Sequence, residues 1–392
     1  MSRYRIPALF GAAVLFFAAL YSYVPSLPAY VAERTSSLTA VGVVLSMYGL
    51  WMAALRIPIG VAADATGRNK PYLVGGVLMA GIGAMVMALG KSIGMMAFGR
   101  ALTGAAAAAW VPMMVVFAGY FPPEQTIFAT SLLSFAGSLG QMIGTSVTGF
   151  LQTLGGYGLT FFAAAGLSIA ATIIIVFVRI PRRDAAHRGA VNARSILAIF
   201  RRRDVLVPSF TNALCQFGVW AVTFGFMPLL ARQMGASAVA TSLLMSLNIA
   251  ANTAANLFAT FIANRGGRRL LLYGSFAAFA AGATFAALSH SVLLLFVSTV
   301  IMGLANGLFF PILLGLSIQR VDAAHRSTAM GIHQAVYAVG MFTGPWIGGI
   351  IADAVGIRGM FAIVAAFSVA APSACMTLQR SFAPVARSAS HT

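Results

Sequence analysis

Acidic residues are nearly absent, with 7 Asp and Glu among 392 residues, and all charged residues together make up 8% of the chain. A soluble domain carries roughly 25% charged residues to wet its surface, so a water-soluble globule is excluded. Cysteine is as scarce: Cys215 and Cys375 both fall in apolar stretches, where a thiol behaves as a small hydrophobe. They suggest neither a disulfide nor a metal site. There is no phosphate-cradling loop, no metal-ligand spacing and no nucleophile elbow. Gly75-Gly76 and Gly81-x-Gly83 sit inside apolar stretches and read as packing residues. No cofactor, no metal and no enzymatic activity are expected.

What is present is apolar, with 60% hydrophobic residues and a mean hydropathy of +0.90. Lipid must be the solvent for most of such a chain. A crossing needs about 20 apolar residues. Segments of that kind fall at 7–31, 38–63, 71–90, 93–119, 126–151, 157–180, 207–231, 237–263, 270–289, 291–317, 326–351 and 357–379. The first follows Arg3 and Arg5 as a signal sequence would, but it outruns a signal core and reads as a span. Twelve spans in two groups of six give an all-α membrane protein. Its divisions are a bundle at 1–180, a basic linker at 181–206, and a second bundle with a short tail at 207–392. Within the linker, Ser195–Arg203 reads as a solvated basic stretch or as a short amphipathic helix on the inner leaflet.

The net charge is +18. These basic residues punctuate apolar runs and form no continuous face, which argues against nucleic acid as a partner. They also orient the chain, because Lys and Arg concentrate in cytoplasmic loops. With the N-terminus inside, Arg3, Arg5, Arg56, Arg68, Lys70, the linker arginines, Arg265, Arg268, Arg269, Arg320, Arg326, Arg380 and Arg387 all fall on the cytoplasmic side. Only Arg34, Lys91, Arg232 and Arg358 face out, and Arg100 lies within a span. Both termini are therefore expected in the cytoplasm of a bacterial inner-membrane protein acting as a monomer in the bilayer.

The halves repeat each other at an offset of 200. Pro28 pairs with Pro228, Gly67-Arg68 with Gly267-Arg268, Gly140 and Gly144 with Gly340 and Gly344, Gly149 with Gly349, Gly156 with Gly356, and Phe161 with Phe361. A site between two copies near the membrane midplane is how secondary transporters are built.

After span two the chain reads Gly60-Val-Ala-Ala-Asp64-Ala-Thr-Gly67-Arg68-Asn-Lys70. Spacing, residue types and position all resemble the loop signature of the major facilitator superfamily, and the likeness covers essentially the whole chain. It implies a twelve-helix fold in two pseudo-symmetric bundles, with this loop as a cytoplasmic latch. Without the family, the same residues read as a positive-inside turn, Gly67 supplying the tight bend. A weaker copy, Asn264 to Arg269, has Asn264 where an acid would stand. Gly99-Arg100-Ala-Leu-Thr-Gly104 in span four is similar to the family's buried-arginine motif. Arg100 either pairs with backbone carbonyls or couples charge and binds an anionic group. Span eleven carries the full glycine motif at Gly340, Gly344, Pro345, Gly348 and Gly349. Span five has the motif only in part, with Thr145 and Thr148 in place of proline and glycine, which weakens the family's exporter signature.

The resemblance further implies that spans 1, 2, 4, 5, 7, 8, 10 and 11 line a cavity, so their polar side chains are the substrate candidates. Span seven offers Asn212, Gln216 and Trp220, and span eight Asn248, Asn252 and Asn256, each set on one helix face. Span eleven adds His333, Gln334 and Tyr337; span one adds Tyr21, Tyr23 and Tyr30. The amides serve either as a hydrogen-bonding wall or as links between helices. His333 is the one histidine within a span and the best candidate for a coupled proton. No acid lies mid-span, which disfavours a cationic solute. The expectation is a secondary transporter of a small neutral, zwitterionic or anionic organic solute, proton-coupled, with export preferred. The alternatives are a proton symporter importing an organic anion and a non-transporting receptor or scaffold on the same fold.

Overall fold

The computed structural model describes residues 4–180, 198–262, 267–322 and 325–377. Most of the expected linker, Asn264, Arg265, the tail and the side chain of Asp64 lie outside them. The described chain is almost wholly helical, as a lipid solvent requires, because helices satisfy their own backbone hydrogen bonds.

Nine described helices are long and apolar enough to cross a membrane. Two of them, Thr126–Phe177 and Arg326–Thr377, have 52 residues each, about 78 Å at 1.5 Å per residue, far more than one crossing of about 30 Å. Each is two spans meeting at a sharp corner. The corners are Gly156, at φ 66°, and Gly356, at φ 76°. That left-handed backbone is open to glycine at no steric cost. The first span is the apolar helix Arg5–Tyr21 continued by Leu27–Ala32. The crossings are therefore twelve, and the two corners stand at the offset read from the repeat.

Span two is Leu38–Thr66, span three Asn69–Leu89, and span four Ile93–Ala107 with Trp110–Ala118. Span seven runs through Arg203–Ala221, the π-helical Val222–Phe226 and Met227–Gln233. Span eight is Ala238–Ile262, span nine Arg268–Ala287 and span ten Val292–Ile318. Spans one and seven both break just before a proline, at Ser22–Ser26 ahead of Pro28 and at Val222–Phe226 ahead of Pro228. Proline lacks the N–H that would close the turn behind it. The pair of breaks loosens the two helices at matching depths, and Tyr23 and Phe224 lie in the loosened turns.

Glycine sets the packing within each bundle. A Cβ at Gly140 would overlap the carbonyl of Val14, and one at Gly340 that of Ala213; Gly144 and Gly344 press likewise on Ala18 and Phe217. Spans five and eleven thus lie flush against spans one and seven by the same contacts in each half, the close approach that small residues allow.

Candidate functional site

An even number of crossings puts both ends of the described chain on one face of the bundle, here the termini face; the opposite face is distal. On the distal side the halves are clamped twice. The Asp353 carboxylate of span eleven accepts the backbone N–H groups of Leu38 at 2.7 Å and Thr39 at 2.8 Å. It also accepts the hydroxyls of Thr39 at 2.6 Å and Ser37 at 3.1 Å. It caps the start of span two, where unpaired N–H groups and the helix dipole favour an anion. Beside it Gly349 lies against Leu38, Gly42 against Pro345 and Gly49 against Met341. In the second clamp Gly149 rests on Ala238 and Val239, and Ser246 of span eight meets Thr145 at 2.8 Å and Ser146 at 3.0 Å. The threonine that replaces the expected proline in span five thus becomes a polar link between the halves.

Mid-depth, a stack of rings crosses the boundary. The Arg100 guanidinium sits 4.4 Å from the Tyr48 ring centre, Tyr48 stacks on Trp220 at 5.5 Å and 17°, and Trp220 stacks on Phe224 at 4.9 Å and 26°. Tyr21 meets Phe224 edge-on at 6.3 Å. Arg100 is 2% exposed and donates from Nη1 to the Tyr23 hydroxyl at 3.1 Å; its Nε–H has no partner. A guanidinium on the helix axis at mid-membrane costs about 2.5–3.5 kcal/mol even on insertion scales. Cation–aromatic contacts over Tyr48 return about 2 kcal/mol when desolvated.

Arg56, whose charge the sequence reading counts on the cytoplasmic side, lies buried inside span two. It is 6% exposed, donates from Nη1 across the boundary to the Tyr337 hydroxyl at 3.0 Å, and leaves its own Nε–H unpartnered. Arg100 is therefore not the sole fixed charge at depth. The sequence hides this because the helix continues ten residues beyond Arg56, through Pro58, to Thr66. Tyr48, Met52 and Arg56 recur every fourth residue on one buried face of span two.

The other expected residues divide. Trp220 belongs to the stack, and Tyr337 to the boundary with Arg56. Asn212 and His333 are bonded inside the second bundle: His333 lies 3.0 Å from the Ser209 hydroxyl through Nδ1 and 2.9 Å from Asn212 Nδ2 through Nε2. Ser209 spends its own proton on the Val205 carbonyl at 2.6 Å, so it accepts from Nδ1–H, and Nε2 accepts from the amide. Gln216 donates to Asn306 of span ten at 3.3 Å, and Asn248 to the Thr299 carbonyl at 2.8 Å. These amides link helices. Gln334 and Asn252 are half-buried and Asn256 is exposed. Tyr30 donates to the Met87 carbonyl at 3.0 Å within the first bundle. A groove of about 480 Å³ lies between spans seven, eleven and twelve, walled by Phe210, Phe217, Val339, Ile347 and Phe367. It is apolar and belongs to the second bundle alone.

Comparison with known proteins agrees with this architecture. The model of the Major Facilitator Superfamily matches residues 9–237 and 209–390. The chain belongs to that superfamily. Over 98 residues it is 35% identical to the inner membrane transport protein YajR of Escherichia coli, covering 25% of this chain and 21% of that one. Over 153 residues it is 28% identical to the efflux pump azaK of Aspergillus niger, covering 37% of this chain and 32% of the pump. The matched stretches thus span a fifth to a third of those relatives. The crystal structure of the nucleoside transporter NupG, as its D323A mutant, superposes with a TM-score of 0.81 at 16% identity, over 95% of this chain and 99% of that one.

The signature residues after span two form a tight loop followed by the start of span three. Gly67 adopts φ 63°, the tight turn its place in the signature requires. Gly60 faces Val111 of span four, Arg68 is exposed, and Lys70 donates to the Val176 carbonyl at 2.6 Å. The lysine therefore caps the end of span six within its own bundle, where a cation meets the negative end of a helix dipole. The glycine motif of span eleven divides its work. Gly340, Gly344 and Gly348 face span seven of the same bundle, while Gly349 and the Pro345 carbonyl face span two of the other.

Proposed function

We propose that this superfamily member carries a small neutral, zwitterionic or anionic organic solute by alternating access, in a proton-coupled cycle with export preferred. One observation carries the reading. The described close contacts between the halves lie on the distal side of two levels, Arg56–Tyr337 and Thr145–Ser246. A pair of bundles clamped at one end by a releasable cap is built to rock. If the basic loops are cytoplasmic, the shut face is the outer one, and solute enters from the cytoplasm toward the Arg100–Tyr48–Trp220 stack.

His333 is the proposed proton carrier. In its neutral form one ring nitrogen donates and the other accepts. A half-turn of the Asn212 amide would present Oδ1, which has no partner, to a protonated Nε2–H. The ring can thus gain a proton without losing a bond. Counterflow in inside-out and right-side-out vesicles tests the direction, using a ligand first identified by thermal shift. Faster uptake from the medium into inside-out vesicles, whose outer surface is the cytoplasmic face, supports export. The reverse favours uptake of an organic anion, a second reading supported by two arginines at depth. Saturable binding with no flux in either orientation would leave a receptor.

A further inference from the structure

We propose that the solute is an organic anion with a flat apolar body, held between the guanidinium groups of Arg56 and Arg100 beside the Tyr48–Trp220–Phe224 stack. This rests on the transporter reading and narrows its substrate class.

Charge carries the first part. Both guanidinium groups are more than nine-tenths buried, and each keeps an unpartnered Nε–H. Their hydrogen-bond partners, Tyr23 and Tyr337, are neutral phenols. The described acids are engaged or distant: Glu33 accepts from Tyr157, Asp204 pairs with Arg202, and Asp353 caps span two. Glu124 and Asp322 lie in the turns before spans five and eleven. Two buried cations without a described counter-ion call for an anion, and a guanidinium fork matches carboxylate or phosphate oxygens in pairs.

Placement carries the second part. Arg56 lies eight residues past Tyr48 on the same face of span two, about 12 Å along the axis, and Arg100 lies over Tyr48 from span four. Arg100 thus lies on the Tyr48 ring and Arg56 two turns nearer the termini face, both from helices of the first bundle, while Trp220 and Phe224 come from the second. An anion entering from the termini face therefore meets Arg56 first. The stack supplies an aromatic wall against whose edges a flat group can pack, and a cation meets two like charges.

Purified full-length protein in detergent at pH 7 is melted against phthalate and benzoate and against their neutral amides, phthalamide and benzamide. The acids should raise the melting temperature with an apparent affinity at least about tenfold tighter than the amides. Arg56→Gln and Arg100→Gln should each erase that difference. Arg56→Lys keeps the charge and should keep the acid preference at reduced affinity, which separates binding from misfolding; Lys91→Gln, at an exposed position on the distal face, should change nothing. Equal effects of acid and amide, including none from either, overturn the anion assignment. An undiminished acid preference in Arg56→Gln removes Arg56 from the site. The transporter reading is tested apart from this by ligand-free distance measurements on Asp353→Asn, so that either can fail alone.

Discussion

The Asp353 carboxylate and Thr39 are 314 residues apart, yet one carboxylate oxygen accepts both the backbone N–H and the hydroxyl of that threonine. Span eleven of one bundle thereby caps span two of the other. A cap of this kind is worth about 0.5–2 kcal/mol and breaks when the ends separate.

Asp353→Asn removes the charge and leaves one acceptor. In a background with Cys215 and Cys375 replaced by alanine, a cysteine at the buried Ser46 reports on the distal gate. Its labelling by a membrane-impermeant maleimide from the distal side should rise about twofold to thirtyfold with Asp353→Asn, the range that cap energy implies. Unchanged labelling would show that the glycine contacts alone hold the gate.

Gly349 and Gly11 give a paired test of packing. A methyl at Gly349 would overlap the Leu38 carbonyl, whereas one at Gly11 meets nothing within 4 Å. Gly349→Ala should destabilise the clamped state by about 1–3 kcal/mol and open the distal face in the same labelling assay. Gly11→Ala should be neutral or stabilising by up to about 1 kcal/mol. Melting curves in detergent read both, and equal effects would remove the close-approach argument.

The architecture was legible where chemistry is local or repeated. Gly156 and Gly356 stood out as a matched pair, and both are the left-handed corners between spans. Pro28 and Pro228 marked the two breaks. The Tyr48–Trp220 stack was only half legible, since Trp220 was a candidate and Tyr48 was not. Arg56 was counted with the cytoplasmic charges because one arginine near a span end is indistinguishable by composition from an interfacial residue; only the length of the helix buries it. Asp353 and the Thr145–Ser246 link were unreadable for another reason. Each joins residues more than 100 positions apart, and no periodicity encodes which helix faces which.

His333 and Asn212 allow coupling to be separated from binding. His333→Ala should abolish the solute-driven pH change in proteoliposomes while leaving ligand stabilisation within about twofold. Asn212→Leu, which cannot offer an oxygen to a charged ring, should reduce the same signal. A full pH signal in His333→Ala would take the proton elsewhere.

Trp220 joins the halves through its ring. Trp220→Leu should weaken the boundary by about 0.5–1.5 kcal/mol beyond lost area and lower affinity for flat ligands more than for compact ones, measured by thermal shift. An equal loss for both would limit Trp220 to packing.

The most direct test of alternating access is a pair of distances. Spin labels at Ser36 and Ala354 report on the distal face, and labels at Arg68 and Arg320 on the termini face, in otherwise unmodified protein and in Asp353→Asn. Rocking predicts that the variant lengthens the distal distance and shortens the other. Two distances that stay fixed, or that change in the same sense, would contradict it.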